Sequence, residues 1–273
     1  NDFLFTFKDN LARFNFPFYP CSFILPEQFT DFLASNHSDF IVKPTRSSQG
    51  KGIFISTSKS EIQNWFQNTF PQIPEKHSII TQISEQYKSM NVDFSTELIT
   101  KEYHSPRPHL IQVLLEPLLL FNQKFDLRFY LLYHQKRLHC CTEAFCRFNL
   151  NEYSKNTING LTNCYQQKYV DGGPKISFQK FKELYQQRFG STTVIEQQLT
   201  QINLALKNQF QNVLKEDNCF ELFGIDVLID CNHKVWLLEV NACPYMYSDS
   251  DEDMVMKQKV IHGCLDIIQG QQS

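Results

Sequence analysis

The chain has 273 residues, with 26 Lys and Arg against 29 Asp and Glu, for a formal net charge of −3. Hydrophobic residues make up 42% and aromatic residues 14%, with 25 phenylalanines, which excludes intrinsic disorder and supplies one large core or two modest ones. The near-neutral balance argues against a protein that lives on nucleic-acid phosphates. The longest apolar stretch, VLLEPLLLF at 113–121, is broken by Glu116 and Pro117 and is too short to span a bilayer, so no membrane association is expected. The opening NDFLFTFKDN lacks the layout of a signal peptide. Nine cysteines contain no CxxC pair, which reads as buried or free thiols in a reducing compartment, with the cytosol as the default.

In chain order, residues 1–39 are mixed and punctuated by Pro17, Pro20 and Pro26, with a helix expected to start near Pro26 and to carry Phe29, Phe32 and Leu33 on one side. FIVKP at 40–44 and IFIS at 53–56 read as strands around the loop TRSSQGKG. Residues 60–70 are helix-like, and IITQIS at 79–84 suits a strand. The stretch 85–109 has no period and reads as an insertion or surface loop. HLIQVLLEPLLL is β-rich with a proline break. KFDLRFYLLYH (124–134) alternates, with Lys124, Asp126 and Arg128 on one face and Phe125, Leu127 and Phe129 on the other. RLHCCTEAFCRF (137–148) continues as a second strand, and 149–175 is polar loop. Ile195, Leu199, Ile202, Leu206, Phe210, Val213 and Leu214 form one stripe of an amphipathic helix. FELFGIDVLID (220–230) and HKVWLLEV (233–240) read as a hairpin, followed by a closing helix over about 251–269. Strands and helices mix without a regular βαβ period, so the expected class is α+β.

Three elements carry chemistry. If 231–234 form the loop of the terminal hairpin, Asp230 pairs with Val235 and Asp226 stands opposite Glu239, with Asn241 on the same face. Two carboxylates and an amide oxygen converging there suit Mg²⁺, which takes few protein ligands; carboxylates facing water are the plainer alternative. KFDLR presents cation, anion and cation on a face that must look at solvent or a cleft, and Arg147 on the neighbouring strand is placed to join it. A surface ion-pair ladder would look the same. The loop SSQGKGI (47–53) matches neither a P-loop nor a kinase glycine loop. Gly50 and Gly52 nevertheless allow backbone amides to approach an anion, with Lys43 and Lys51 flanking, unless the loop is simply a tight hairpin.

All three occur in order, and the passages FIVKPTRSSQGKGI, QVLLEPLLLFNQKFDLRFYLLY, GLTNCYQQK and CFELFGIDVLIDCNHKVWLLEVNACP together resemble the tubulin tyrosine ligase-like family of ATP-grasp amino-acid ligases. The resemblance runs from about residue 40 to 244. It implies an ATP-grasp fold with two α+β subdomains enclosing an ATP cleft, 1–118 and 119–273. It implies that Lys43 and Lys51 touch ATP phosphates under a flap of Ser48, Gln49, Gly50 and Gly52, and that Gln112, Val113, Leu114 and Leu115 line the adenine pocket. Lys124, Asp126, Arg128 and Arg147 would face the γ-phosphate and the carboxyl-bearing substrates, Thr162 and Asn163 the phosphates or amino acid, and Asp226, Glu239 and Asn241 would hold Mg²⁺. Two departures stand out: the family's small N-terminal domain is not among these residues, and Val113 replaces a basic residue that often follows the glutamine. The function so implied is ATP-dependent ligation of a free amino acid, glutamate first, to glutamate carboxylates of tubulin tails through an acylphosphate. Its expected setting is the cytoplasm and cytoskeleton, including the cilium or basal body. Glycine or tyrosine as donor, a non-tubulin acceptor, and a non-catalytic relative bound to microtubules are the alternatives.

Overall fold

A computed structural model describes residues 3–47, 51–70, 108–149, 151–155, 175–214, 219–248 and 250–270. The expected strand at 79–84, nearly all of the 85–109 insertion and most of the 149–175 loop lie outside these. The chain divides into two compact units, one of residues 21–47 with 51–114 and one of residues 1–20 with 115–273. The first twenty residues therefore pack with the C-terminal portion of the chain.

The smaller unit is built on a four-stranded antiparallel sheet. Its strands are β1 (Ser22–Leu25), β2 (Phe40–Pro44), β3 (Phe54–Ser56) and β4 (His109–Val113), in the order β1-β4-β2-β3. Two helices accompany them, α3 (Phe29–Ala34) and α4 (Lys59–Thr69). The core is aromatic: Phe32 meets Phe23 and Phe40 edge-on, and Phe29 stacks on Phe66 at 3.8 Å. Edge-to-face and offset stacking suit the ring quadrupoles, which is how so phenylalanine-rich a sequence fills this space without steric conflict. Helix α4 starts where Ser58 accepts a hydrogen bond from the Glu61 amide, satisfying an otherwise orphaned N–H.

In the larger unit, a five-strand path runs β10-β9-β6-β7-β8, with the short β5 (Leu119–Leu120) paired to β6. The path comprises β6 (Gln123–His134), β7 (Arg137–Phe148), β8 (Lys175–Ser177), β9 (Phe220–Ile229) and β10 (Val235–Ala242). The period-2 alternation of β6 separates two environments. Phe125, Leu127, Phe129, Leu131 and Tyr133 enter the main core with α1 (Phe3–Thr6), α2 (Lys8–Arg13), α5 (Phe178–Phe189) and α6 (Thr193–Val213). Phe5 of α1 stacks on Phe210 of α6 at 3.8 Å, which ties the first residues into this core. On the opposite face Tyr130 and Leu132 pack with Phe145 against Met256, Val260 and Cys264 of α7 (Asp251–Ile268).

The expected helices at 60–70, 195–214 and 251–269 and the strands of both units are present within a residue or two. Helices α1, α2 and α5 and strands β1 and β8 were not anticipated. The first two have four and six residues and β1 has four, whereas α5 carries Phe178, Phe181, Tyr185 and Phe189 at helical spacing, a signal present in the sequence but passed over. The α+β class holds.

Candidate active site

The larger unit carries a row of charges across its sheet. Arg128 on β6 pairs across the ladder with Asp226 on β9, and Asp226 pairs with Glu239 on β10. On the other flank Asp126 stands opposite Arg147 of β7, which is opposite Lys175 of β8. Directly opposed residues in an antiparallel ladder share a face, so register alone assembles these six side chains.

Of the two expectations for the KFDLR face, open solvent is excluded: Asp126 is 2% exposed, Asp226 1% and Arg128 9%. Mutual pairing makes that burial affordable. Arg128 grips both oxygens of Asp226, Nε donating to Oδ1 and Nη2 to Oδ2 at 2.7 Å. Arg147 donates from Nε to Asp126 Oδ1 at 2.6 Å and lies 3.0 Å from Asp226 Oδ1 through Nη2. This last approach is an ion pair without good hydrogen-bond alignment, and among the described residues the buried Nη2 has no better-aligned acceptor. Burial by itself would raise the Asp226 pKa. The charges of Arg128 and Arg147 outweigh it and hold the carboxyl well below the usual carboxylate range. Desolvation pushes Lys124 the other way, below the usual lysine value, against the pull of Asp126.

Glu239 reaches this face by a route that the sequence did not disclose. The expected Asp230–Val235 pair does not form. The Asp230 amide donates to Lys234 O at 2.9 Å within the turn, and the ladder opens with Ile229 opposite Val235. Continued regularly, that register would set Leu238 against Asp226. A bulge at Leu238, between Leu237 and Glu239, inserts one residue and turns the Glu239 carboxylate to Asp226, so this expected pairing is present. Asn241 follows two residues on. Its Nδ2 lies 3.2 Å from Glu239 Oε1 and 3.3 Å from Asp226 Oδ2, and Lys8 Nζ of α2 sits 3.6 Å from Glu239 Oε2.

This donor set fits a hard divalent cation at Glu239 and Asn241. Both side chains are half-buried on one face and contain an oxygen able to ligate, and a cation, the Lys8 ammonium, already faces the carboxylate. A metal would require the Asn241 amide to present its oxygen instead of its nitrogen, a flip that changes no heavy-atom position materially. Asp226 has both oxygens committed to arginines, so its contribution is negative charge as much as ligation. Among the described residues no cluster of three or more His, Cys, Asp or Glu forms a metal site from protein groups alone.

Gly224, the glycine of the Gly-x-Asp passage, was given no role of its own by the sequence reading. A Cβ there would meet Arg128 Nη1 and Pro244 Cβ, each at 3.0 Å. The bare backbone lets the guanidinium lie against β9 within reach of Asp226. A glycine inside a strand is the available signal for such close approach. Lys8 had no comparable signal, being 231 positions from its partner.

In the smaller unit Lys43 of β2 donates to Gln112 Oε1 at 2.7 Å, and Gln112 Nε2 donates to Ser22 Oγ at 3.0 Å, so the lysine and the buried glutamine are brought together. The Val113 and Leu114 amides donate to Cys21 O and Asp39 O, each at 2.9 Å, and are therefore engaged within the unit. Leu115 begins the larger unit. Lys51 is exposed and its carbonyl accepts from Ser47 Oγ at 3.1 Å. Gly52 holds φ +75°, and a Cβ there would come within 2.9 Å of Pro44 Cγ, so this turn requires glycine. Ser48, Gln49, Gly50, Thr162 and Asn163 lie outside the described residues.

Comparison with known proteins gives the family. Residues 1–272 match the sequence model of the Tubulin-tyrosine ligase family. A probable tubulin polyglutamylase, ttll-9, of Caenorhabditis elegans is 30% identical over 285 residues, covering 95% of this chain and 60% of the relative. The probable tubulin polyglutamylase TTLL9 of Mus musculus is 30% identical over 277 residues, covering 92% and 59%. A probable alpha-tubulin polyglutamylase, Ttll1, of Tetrahymena thermophila is 28% identical over 273 residues, covering 92% and 60%. The chain thus spans about three-fifths of the length of these curated relatives. A family match over nearly every residue, with the expected α+β architecture in place, makes this chain a member of the ATP-grasp-like tubulin-tyrosine ligase family.

Proposed function

We propose that this chain carries the ligand-binding core of an ATP-dependent carboxylate–amine ligase that adds glutamate to glutamate side chains of tubulin tails. The supporting observation is the buried Arg128–Asp226–Arg147–Asp126 network beside Glu239 and Asn241. Such a network has large desolvation costs and no packing advantage over apolar residues, so it suits a site that must hold anions. The polyglutamylase names of the relatives favour glutamate as donor and tubulin as acceptor.

In this proposal Arg147 Nη2, buried and without a well-aligned acceptor among the described residues, receives a phosphoryl or carboxylate oxygen. Arg128, braced by Asp226 and Gly224, keeps its guanidinium plane fixed so that orientation is set before the substrate arrives. Lys124 and Asp126 set the charge along the same face. Glu239 and Asn241 hold Mg²⁺, with Asp226 contributing negative charge; the ion, when bound, offsets charge on the phosphates. In the smaller unit Lys43, Lys51, Ser48, Gln49, Gly50 and Gly52 bind ATP phosphates, and Gln112 to Leu115 line the base. Thr162 and Asn163 bind phosphate or amino acid. Transfer of the γ-phosphoryl group to the acceptor carboxylate gives an acylphosphate, and the incoming amine displaces phosphate to leave the amide.

The test is incorporation of labelled glutamate, glycine or tyrosine into tubulin with Mg-ATP, comparing the parent chain with Glu239→Gln. The amide keeps the shape and removes the charge. Incorporation of glutamate is expected to fall by about 10²–10³ in the variant, a typical loss for one preorganised electrostatic contact. Nucleotide affinity should fall far less. Equal incorporation at saturating Mg²⁺ would overturn the metal role of Glu239. Tyrosine or glycine incorporation in place of glutamate would overturn the donor.

A further inference from the structure

Away from the charged row, the sheet face under α7 holds a pair of cysteines that the proposed ligase chemistry does not use. Cys141 Sγ on β7 lies 3.8 Å from Cys264 Sγ on α7, although 123 residues separate them. Both belong to the cluster of Tyr130, Leu132, Phe145, Met256 and Val260 that seats the helix on the sheet. A disulfide needs about 2.05 Å between sulfurs, so the gap to close is under about 2 Å.

The local backbone favours that approach. The β6–β7 register breaks between Phe129 and Leu131: Phe129 pairs with Ala144, and Leu131 pairs with Cys140. Three residues of β7, 141–143, thus answer the single Tyr130 of β6, and Cys141 sits inside the bulge. Ladder hydrogen bonds are interrupted there and the strand adapts more readily than in a regular ladder. Neighbouring Cys140 does not compete for the same partner. It points to the other face, where Asn203 Nδ2 of α6 donates to its sulfur at 3.5 Å.

We propose that Cys141 and Cys264 are a reversible redox-modification site, oxidised by peroxide to a disulfide that fastens α7 to β7. The two sulfurs share one hydrogen bond, so whichever thiol ionises is stabilised as the thiolate by the S–H of the other. That thiolate attacks one oxygen of hydrogen peroxide and breaks the O–O bond, giving a sulfenic acid and hydroxide, which takes up the proton lost on ionisation. The second sulfur then attacks the sulfenic sulfur, forming S–S and expelling hydroxide, while its own proton completes the water. The net change is two thiols and one peroxide to one disulfide and two waters. A compact oxidant suits these thiols, of which Cys264 is buried and Cys141 half-buried. The link would tie down the helix whose first turn carries Asp253, the partner of Lys175 at 3.2 Å and of Lys257 at 2.8 Å.

The experiment is peroxide titration of the 273-residue chain, followed by alkylation of remaining thiols, proteolysis and peptide mass mapping. The expected result is a cross-linked peptide joining Cys141 to Cys264, with two of nine thiols lost and both restored by dithiothreitol. Cys264→Ser and Cys141→Ser should abolish that peptide, and Cys140→Ser should leave it at parent yield. Oxidation should raise the thermal midpoint of the parent chain and not of Cys264→Ser, because the link constrains only a chain that contains it. Wild-type mapping alone decides the matter if a variant fails to fold. Recovery of both cysteines as free thiols, conversion to sulfinic acid without a cross-link, or a link from Cys264 to any other cysteine would overturn the proposal.

Discussion

The two units hold their candidate site residues in different ways. In the smaller unit, Lys43, Gln112 and Ser22 form a short chain of hydrogen bonds containing a single charge, and Gly52 shapes a turn. In the larger unit two arginines and two aspartates are buried together and neutralise one another. The first arrangement can lose a member and rehydrate. The second cannot, because each deletion strands a charge in a place from which water is excluded. Site mutations in the larger unit should therefore disturb folding as well as chemistry, while those in the smaller unit should chiefly disturb ligand binding.

Asp226→Ala provides the severest test of that contrast. It strips Arg128 of its two-point partner and Arg147 of a second carboxylate, and should destabilise by about 3–5 kcal/mol in denaturant titration. A loss no larger than that of Lys43→Met would break the comparison. The same residue predicts an acid dependence. Asp226 has a folded pKa below its unfolded value, so its ionised form stabilises above the unfolded pKa, and that contribution is lost as pH falls through the folded one. Stability of the parent chain should decline below about pH 5, and the Asp226→Ala variant should decline less steeply over the same range.

Gly224→Ala comes next. The added methyl meets both Arg128 and Pro244, and overpacking of this kind costs about 1–3 kcal/mol. It should also weaken binding of anionic ligands, because the guanidinium must shift. In the smaller unit Gly52→Ala should cost about 1–2 kcal/mol for a non-glycine residue at positive φ, detectable as a lower thermal midpoint. The smallest effect is expected for Lys43→Met, where Gln112 Oε1 loses one donor, at about 1 kcal/mol. Its larger consequence should be a weaker Kd for ATP. A Lys43 variant with unchanged ATP affinity would remove that lysine from the proposed phosphate contacts.

Much of this was legible from local pattern. The strict alternation of β6 separated the apolar set from Lys124, Asp126 and Arg128, and the stripe from Ile195 to Leu214 marked α6. Period 2 and period 3.6 are properties of the chain itself and need no partner to be seen. The ordered passages carrying KFDLR, Gly-x-Asp and Glu-x-Asn were enough to indicate the family. What alternation left open was where the charged face pointed. A face of cation, anion and cation reads as solvent-facing until another strand is known to bring Asp226 across from Arg128.

Tertiary structure alone decided the rest. The bulge at Leu238 places Glu239 opposite Asp226 after a turn in which Asp230 pairs with Lys234 instead of Val235. It depends on how two strands settle against each other, not on either strand's periodicity. The close fit of Arg128 over Gly224, the approach of Lys8 to Glu239 and the meeting of Cys141 with Cys264 join residues between 96 and 231 positions apart. Sequence determined which residues were chemically able to form a site and on which face of each element they lay. Burial, pairing and the resulting charge states followed only from packing, because desolvation and Coulomb attraction depend on distances that a linear pattern does not contain.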